Sequence, residues 1–175
     1  LVSGEIVGTL AVTEDFMAPS RDNILVSCDN GLINGKKIAV PDAKIATHVI
    51  VVAKTNSGIS LRLVDTSSSG VTIKHQKNID ESRGHFQIDF DNVEGSLIGD
   101  EISGWEQYES IINQAAVLFS YEQIGGAQAS LDMAIGYAKE RYAFGRPIGS
   151  FQAIKHKLAD MYVSLTLAKS NCYYA

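Results

Sequence analysis

The hydrophobic and polar positions of this chain follow two periods, and the change between them falls near Gly104. Before that point, short runs rich in β-branched residues are separated by groups of Asn, Asp, Ser and Gly, as at Asn34-Gly35. Such runs are typical of strands, and such separators favour turns. The runs lie at 24–26, 32–33, 37–40, 48–52, 59–64, 71–73 and 85–90. Several short strands at this spacing predict a β barrel or sandwich.

In the second part of the chain, apolar residues recur at helical intervals. The first stripe consists of Trp105, Tyr108, Ile111, Ile112, Ala115, Leu118 and Phe119. Because this pattern runs on, it predicts one long helix from about Ser103 to Arg141. A Gly and a Pro then interrupt it within Phe144–Ile148, and a second stripe begins at Ile154. We therefore expect a second long helix, antiparallel to the first.

These patterns together predict an α+β protein of two domains. Residues 1–100 are expected to form the β-barrel-like or sandwich domain, and residues 101–175 two long antiparallel helices of a four-helix-bundle type. Two helices alone cannot bury their apolar faces. Small residues that permit close helix packing also cluster on the first helix, at Ala115, Ala116, Gly125, Gly126 and Ala127. We therefore expect an assembly rather than a monomer.

Three side chains of different chemistry surround the predicted turn between the helices. The guanidinium of Arg141 can form a fork of hydrogen bonds to a phosphate. The ring of Phe144 can lie against another ring, and the amide of Gln152 can bond a base or a sugar. This set suits a dinucleotide.

The amino-acid sequence around the turn resembles that of a known protein family. Residues 141–154 read Arg-x-x-Phe-Gly-x-Pro-Ile-x-x-Phe-Gln-Ala-Ile, and residues 156–161 read His-x-Leu-Ala-Asp-Met. Both runs resemble the helix-turn-helix of the acyl-CoA dehydrogenase flavoproteins. The β half adds weaker matches to the family's Thr-Glu motif, its Asn-Gly-x-Lys hairpin and its last strand, at Thr13-Glu14, residues 34–37 and residues 90–93.

This resemblance implies an FAD-dependent oxidoreductase of fatty acid β-oxidation, with an acyl-CoA substrate. It implies the family's middle β domain and the first two helices of its C-terminal domain, with both ends of the chain continuing into a longer protein. In the family, FAD lies at a subunit interface. Carried over, Arg141 neutralises the diphosphate, Phe144 packs against the cofactor and Gln152 bonds its nucleotide part, with Thr13 as a further cofactor contact. The assembly is either a homo-oligomer or a hetero-oligomer.

Several positions depart from the family pattern on the flavin and substrate side. Residues 15–20 read Asp-Phe-Met-Ala-Pro-Ser where the family has a small-residue loop, and Pro41 stands where the family has a hydroxyl residue. Ala143 replaces a common Thr. Asn113 and Ala116 replace an Asp-x-x-Arg pair near CoA. One variant of the family's catalytic Glu would fall near Ala115, and the commoner position lies beyond this chain, so we assign no catalytic residue.

Three hypotheses follow from this uneven match. The first is a subunit that lends Arg141, Phe144 and Gln152 to the FAD of a partner, as in bacterial members of the family built from unlike subunits. The second is a complete enzyme with a divergent β-domain loop. The third is a non-enzymatic scaffold that retains only the fold.

Composition limits the partners. The net charge of −5 and the pI of about 5.3 argue against a nucleic-acid or membrane surface. No apolar run is long enough to span a bilayer. We expect a bacterial cytoplasmic protein, with the mitochondrial matrix as the alternative.

The two cysteines and four histidines show no metal-ligand spacing, so no metal site is expected. Glu14 is interpreted as a turn residue, and Arg146 as a residue that shields the turn or meets solvent.

Overall fold

The computed structural model describes residues 2–80 and 82–175. The chain divides into two compact units, Leu1–Glu109 and Ser110–Ala175. The division falls later than the predicted one because the first turns of the long helix pack with the strands. The domain bounds at residue 100 stay a prediction.

The first unit is built on one mixed sheet of eight strands. They are β1 Gly8–Ala11, β2 Ser27–Asp29, β3 Leu32–Pro41, β4 His48–Lys54, β5 Ile59–Asp65, β6 Val71–Gln76, β7 His85–Glu94 and β8 Ser96–Ile98. Along the sheet the order is β6-β7-β3-β2-β4-β5-β8, and β1 pairs in parallel with β4. A short 3-10 turn, Arg21–Asn23, precedes β2.

The central strand β4 is covered on both faces. Val49 and Val51 belong to a cluster that fills the space between β3, β4 and β7. Ile50 and Val52 face a second cluster, which Trp105 closes from the first turn of the long helix. Alternate side chains of a strand point to opposite faces, so two covered faces explain why β4 reads as a continuous apolar run.

One predicted strand is wrong. Ile24–Val26 lie outside the sheet strands, and β2 begins only at Ser27. The backbone amides of Leu25 and Val26 donate to the carboxylate of Glu14 instead of to a neighbouring strand. An amide bonded to a side chain is lost to the strand ladder, so the β-branched run does not extend into a strand here.

Gly35 in β3 allows a close approach of two backbone segments. Its φ is +131°, and a Cβ atom there would lie 2.9 Å from Cγ2 of Val26. A larger residue would push β3 away from the segment that Glu14 holds.

The second unit contains most of α1, Gly104–Glu140, and all of α2, Gln152–Tyr174. The rings of Tyr121 and Tyr173 meet at 5.5 Å, and Gly149, just before α2, lies against Ala138 near the end of α1. The helices are therefore antiparallel. Together with the sheet unit, they confirm the predicted fold class.

Both helices expose much of their apolar surface. Ile111, Leu118, Phe119, Met133, Met161, Val163 and Leu167 are each at least two fifths exposed. Only Leu131 and Ala138 are buried hydrophobic residues in the second unit's described side chains. Apolar faces of this size are those that further helices cover in a bundle.

Candidate functional site

The junction between the helices is a two-stranded hairpin with a very tight turn. Strands β9, Tyr142–Ala143, and β10, Arg146–Pro147, pair antiparallel, and Phe144-Gly145 form the turn. The φ angles of Phe144 and Gly145 are +52° and +79°. Positive φ at both central positions is the type I′ geometry, which suits a two-residue hairpin.

Phe144 is an unusual residue for this turn. Asn, Asp and Gly tolerate the left-handed backbone region, whereas a bulky residue there is strained. The Phe144 side chain is nonetheless 96% exposed, so burial in its own unit does not offset the strain. A strained, exposed aromatic ring is the kind of feature that persists at a ligand contact.

The backbone of Arg141 is held at both of its polar groups, while its side chain is exposed. Its N–H donates to the Tyr137 carbonyl, and its own carbonyl accepts from the Ile148 N–H, each at 2.8 Å. The ion pairs formed within the described residues do not include Arg141. An exposed guanidinium on a fixed backbone, without an ion-pair partner in the described residues, can bind a phosphate without first breaking an ion pair.

Helix α2 begins next to this hairpin without a side-chain cap. Phe151 stands at the N-cap position and offers no side-chain acceptor to the first turn. Gln152 is the first helical residue, and its side chain is exposed. Uncapped N–H groups at a helix start favour an anion, and the Gln152 amide adds a donor and an acceptor beside them.

Arg146 has a definite contact that the sequence did not suggest. Its guanidinium lies over the Phe151 ring, 4.1 Å from the ring centroid. The Phe144 ring meets Phe151 edge-on, at 6.3 Å between centroids. Arg146 is exposed, as the interpretation that it shields the turn or meets solvent implies, and the structure adds a ring contact. It stacks on the ring that supports Phe144.

Gly149 ties the hairpin to the end of α1. A Cβ atom at this position would lie 2.8 Å from the carbonyl oxygen of Ala138 and 3.4 Å from its Cβ. Only glycine permits this approach of backbone to backbone. The position of Arg141, three residues after Ala138, depends on it.

Thr13, the fourth predicted contact, lies in the sheet unit just after β1. It is half-buried, and its carbonyl accepts the Ile38 N–H at 2.8 Å. It belongs to a different unit from Arg141, Phe144 and Gln152, which share the hairpin and the α2 start.

Beside Thr13 lies a buried ion pair that joins the two β-domain motifs. The ammonium of Lys37 donates to Glu14 Oε1 at 2.6 Å. The Lys37 side chain is fully buried, and that of Glu14 is only 8% exposed. Burial lowers the pKa of Lys37 to about 8, although the Glu14 carboxylate opposes the shift. The interpretation of Glu14 as an ordinary turn residue is therefore wrong. Its partner Lys37 lies 23 residues further along the chain, so no local sequence pattern indicated the pairing.

The positions that depart from the family pattern are mostly exposed. Phe16 is fully exposed and Met17 is 62% exposed on the loop after Glu14. Pro41 ends β3, where its carbonyl accepts the Thr9 hydroxyl at 2.6 Å. Asn113 and Ala116 face outward from α1. Pro41 and Ala116 carry no side-chain hydrogen-bonding group, and Asn113 carries an uncharged amide.

Among residues 2–80 and 82–175, no three His, Cys, Asp or Glu side chains are grouped so that they could hold a metal ion. Within the same ranges, no helix combines the length and the hydropathy needed to cross a bilayer. Cys28 is buried and Cys172 half-buried, and both are free thiols.

Residues 103–175 match the family model described as acyl-CoA dehydrogenase, C-terminal domain. The chain is 33% identical over 184 residues to the probable acyl-CoA dehydrogenase YngJ of Bacillus subtilis, covering 97% of this chain and 48% of that protein. The chain belongs to the acyl-CoA dehydrogenase family. It spans about half the length of the curated relatives it matches.

Two solved structures share the fold of both units. The glutaryl-coenzyme A dehydrogenase in complex with glutaryl-CoA matches with a TM-score of 0.92 and 26% identity, over 98% of this chain and 47% of that one. The FAD complex of PigA matches with a TM-score of 0.87 and 26% identity, over 99% of this chain and 49% of that one. This chain of the acyl-CoA dehydrogenase family thus resembles proteins solved with a CoA thioester and with FAD.

Proposed function

We propose that this chain is part of an FAD-dependent acyl-CoA dehydrogenase and that it contributes a nucleotide clamp, formed by Arg141, Phe144 and Gln152, to FAD at a subunit interface. The observation that carries the proposal is the hairpin itself. It exposes the ring of Phe144, whose backbone is strained, and it follows Arg141, whose guanidinium has no ion-pair partner in the described residues. Both features suit a ligand with phosphates and rings.

The residues of the hairpin fit the nucleotide half of FAD. The Arg141 guanidinium and the uncapped start of α2 supply positive charge and N–H donors for a diphosphate. Phe144 supplies an apolar face, and Gln152 a polar contact for a sugar or base. When bound, FAD supplies the hydride acceptor for the α,β-dehydrogenation of an acyl-CoA thioester. The chain's own residues bind and orient the cofactor, and we assign no catalytic base among them.

The sheet unit fits the isoalloxazine half less well. Pro41 has neither a hydroxyl nor an N–H group, and the loop after Glu14 carries Phe16 and Met17 in place of small residues. We therefore favour a subunit that lends its clamp to the FAD of a partner, in a hetero-oligomer. A complete but divergent dehydrogenase is the alternative, with Thr13 contacting its own flavin, and a scaffold without activity is the third. The favoured compartment is a bacterial cytoplasm, with the mitochondrial matrix as the alternative.

The test of the clamp is FAD titration of the assembled protein, followed by flavin fluorescence, with Arg141→Ala compared against Lys139→Ala. Both changes remove one exposed positive charge near the end of α1. Arg141→Ala removes a charge-assisted contact worth about 1.5–3 kcal/mol, so the Kd should rise roughly tenfold or more. The Lys139 variant should bind like the parent. Equal FAD affinity in both variants would refute the clamp.

A second titration separates the lending subunit from the complete enzyme. The purified chain, without a partner, should bind no FAD of its own, and Pro41→Thr should change little because one hydroxyl cannot rebuild the loop. If the chain alone binds one FAD per subunit and oxidises an acyl-CoA, the lending hypothesis fails and the divergent enzyme replaces it.

A further inference from the structure

The carboxylate of Glu14 is an unusually well-connected buried group. It accepts the backbone N–H of Leu25 at 2.7 Å and that of Val26 at 3.1 Å, and it receives the Lys37 ammonium at 2.6 Å. Two backbone amides and one ammonium together satisfy most of the acceptor capacity of a carboxylate. The first two bonds join residues eleven and twelve positions apart along the chain, so Glu14 closes the segment between them into a loop.

Lys37 and its neighbour in β3 bond to the backbone just before Glu14. Its ammonium also donates to the Val12 carbonyl at 2.9 Å, and the next residue, Ile38, donates its N–H to the Thr13 carbonyl at 2.8 Å. Three successive residues, 12–14, are therefore bonded to two successive residues of β3. Thr13 lies between the two bonds that Lys37 makes.

The closed loop has its own internal supports. The side-chain oxygen of Asn23 accepts the Ser20 N–H at 2.7 Å, and its Nδ2 donates to the Ala18 carbonyl at 2.9 Å. At the loop's outer end, Arg21 pairs with Glu106 at 3.0 Å. Phe16 and Met17 lie between Glu14 and Ala18 with exposed side chains.

We propose that Lys37 and Glu14 are positioning residues, a buried latch that sets the conformation of Thr13 and of the loop Asp15–Asn23 before any ligand binds. A buried ion pair is often replaceable by hydrophobic residues when no other polar group depends on it. An apolar pair could not accept the Leu25 and Val26 amides or bond the Val12 carbonyl. The two charged groups therefore hold the backbone of this loop in one conformation. The inference does not depend on the proposed FAD clamp.

The test compares amide hydrogen exchange in the purified protein with that in Lys37→Met, in the double variant Lys37→Met/Glu14→Met, and in the control Lys36→Met. Lys36 is the exposed neighbour in the same strand. The double variant removes both charges and the loop's acceptor, and keeps side chains of similar size. Its urea midpoint should fall, because the Val26 amide and the Val12 carbonyl lose their partners. Its Leu25 and Val26 amides should be accelerated at least tenfold more than those of Val49 and Val51 in β4.

Chymotrypsin cleavage after Phe16 is a second probe of the loop, because the protease cleaves after aromatic residues and Phe16 is exposed. Cleavage after Phe16 should be severalfold faster in the double variant and unchanged in Lys36→Met. Parental protection of Leu25 and Val26 in the double variant overturns the proposal. So does an equal acceleration at Val49 and Val51, which would make the pair a general stabiliser of the unit.

If the double variant does not fold, Glu14→Gln provides an alternative test of the same proposal. The amide keeps the shape and one acceptor oxygen but loses the charge, so exchange at Leu25 and Val26 should rise several-fold with β4 unchanged. Unchanged exchange at these two amides in Glu14→Gln would overturn the latch.

Discussion

The buried ammonium of Lys37 makes the stability of the sheet unit depend on pH in a direction opposite to that of most alkaline transitions. Its pKa is lowered by burial from an ordinary 10.5 to about 8. Between these two values the unfolded chain holds a proton that the folded chain has released. Stability rises with pH wherever the unfolded state binds more protons, so this group adds stability as the pH rises through about 8.

The magnitude follows from the size of the shift. Each pKa unit corresponds to about 1.4 kcal/mol, so the full effect of Lys37 is on the order of 3 kcal/mol once the pH exceeds the unfolded value. Between about pH 7 and about pH 9 the expected gain is roughly 1 kcal/mol, because only the first unit above the folded pKa has then been crossed.

Two other groups lower the stability of the folded state as the pH rises, so their contribution must be subtracted. Burial raises the pKa of the Cys28 thiol and of the Tyr108 hydroxyl, so the folded state holds their protons longer than the unfolded state does. Their contribution to stability is lost as the pH rises. Lys37→Met retains both groups and removes only the ammonium. The quantity to measure is therefore the difference between the two proteins.

Urea denaturation of the parent, Lys37→Met and Lys36→Met at about pH 7, 8 and 9 supplies this difference. The parent should gain about 1 kcal/mol relative to Lys37→Met across the series, and the Lys36 variant should follow the parent. A constant difference would show that Lys37 does not titrate in this range. If Glu14 raised the pKa of Lys37 above its ordinary 10.5, both states would stay protonated from about pH 7 to 9, and the difference would be constant as well.

Three further predictions concern the second unit. Gly149→Ala should lower the free energy of unfolding by about 1–3 kcal/mol in urea denaturation, because its methyl group would meet the Ala138 carbonyl; unchanged stability would contradict the close approach. Phe144→Asn creates the Asn-Gly pair that a type I′ turn prefers, so it should leave stability unchanged or raise it by up to about 1 kcal/mol. The same variant should weaken FAD binding of the assembly in fluorescence titration, and parental affinity would remove Phe144 from the clamp. Light scattering should show a particle larger than one chain, because the apolar faces of α1 and α2 are exposed; a stable monomer would refute the expected assembly.

The sequence by itself determined the architecture, because hydrophobic period is a local property. The change of period near Gly104 located the start of α1, observed at Gly104, and the breakers near Phe144 located the hairpin. The run from Arg141 to Gln152 carried the family resemblance. The roles of Arg141, Phe144, Gln152 and Thr13 in binding FAD stay predictions.

Only the tertiary structure decided which charges and rings meet. Glu14 and Lys37 are 23 residues apart, and their pairing depends on how β3 lies beside the segment after β1. The same pairing explains the wrongly predicted strand at Ile24–Val26, since Glu14 takes two of its amides. The contact between Arg146 and Phe151 likewise depends on the folded hairpin. Local pattern predicts most of the secondary structure, whereas partners distant in sequence are determined by packing, which no local pattern contains.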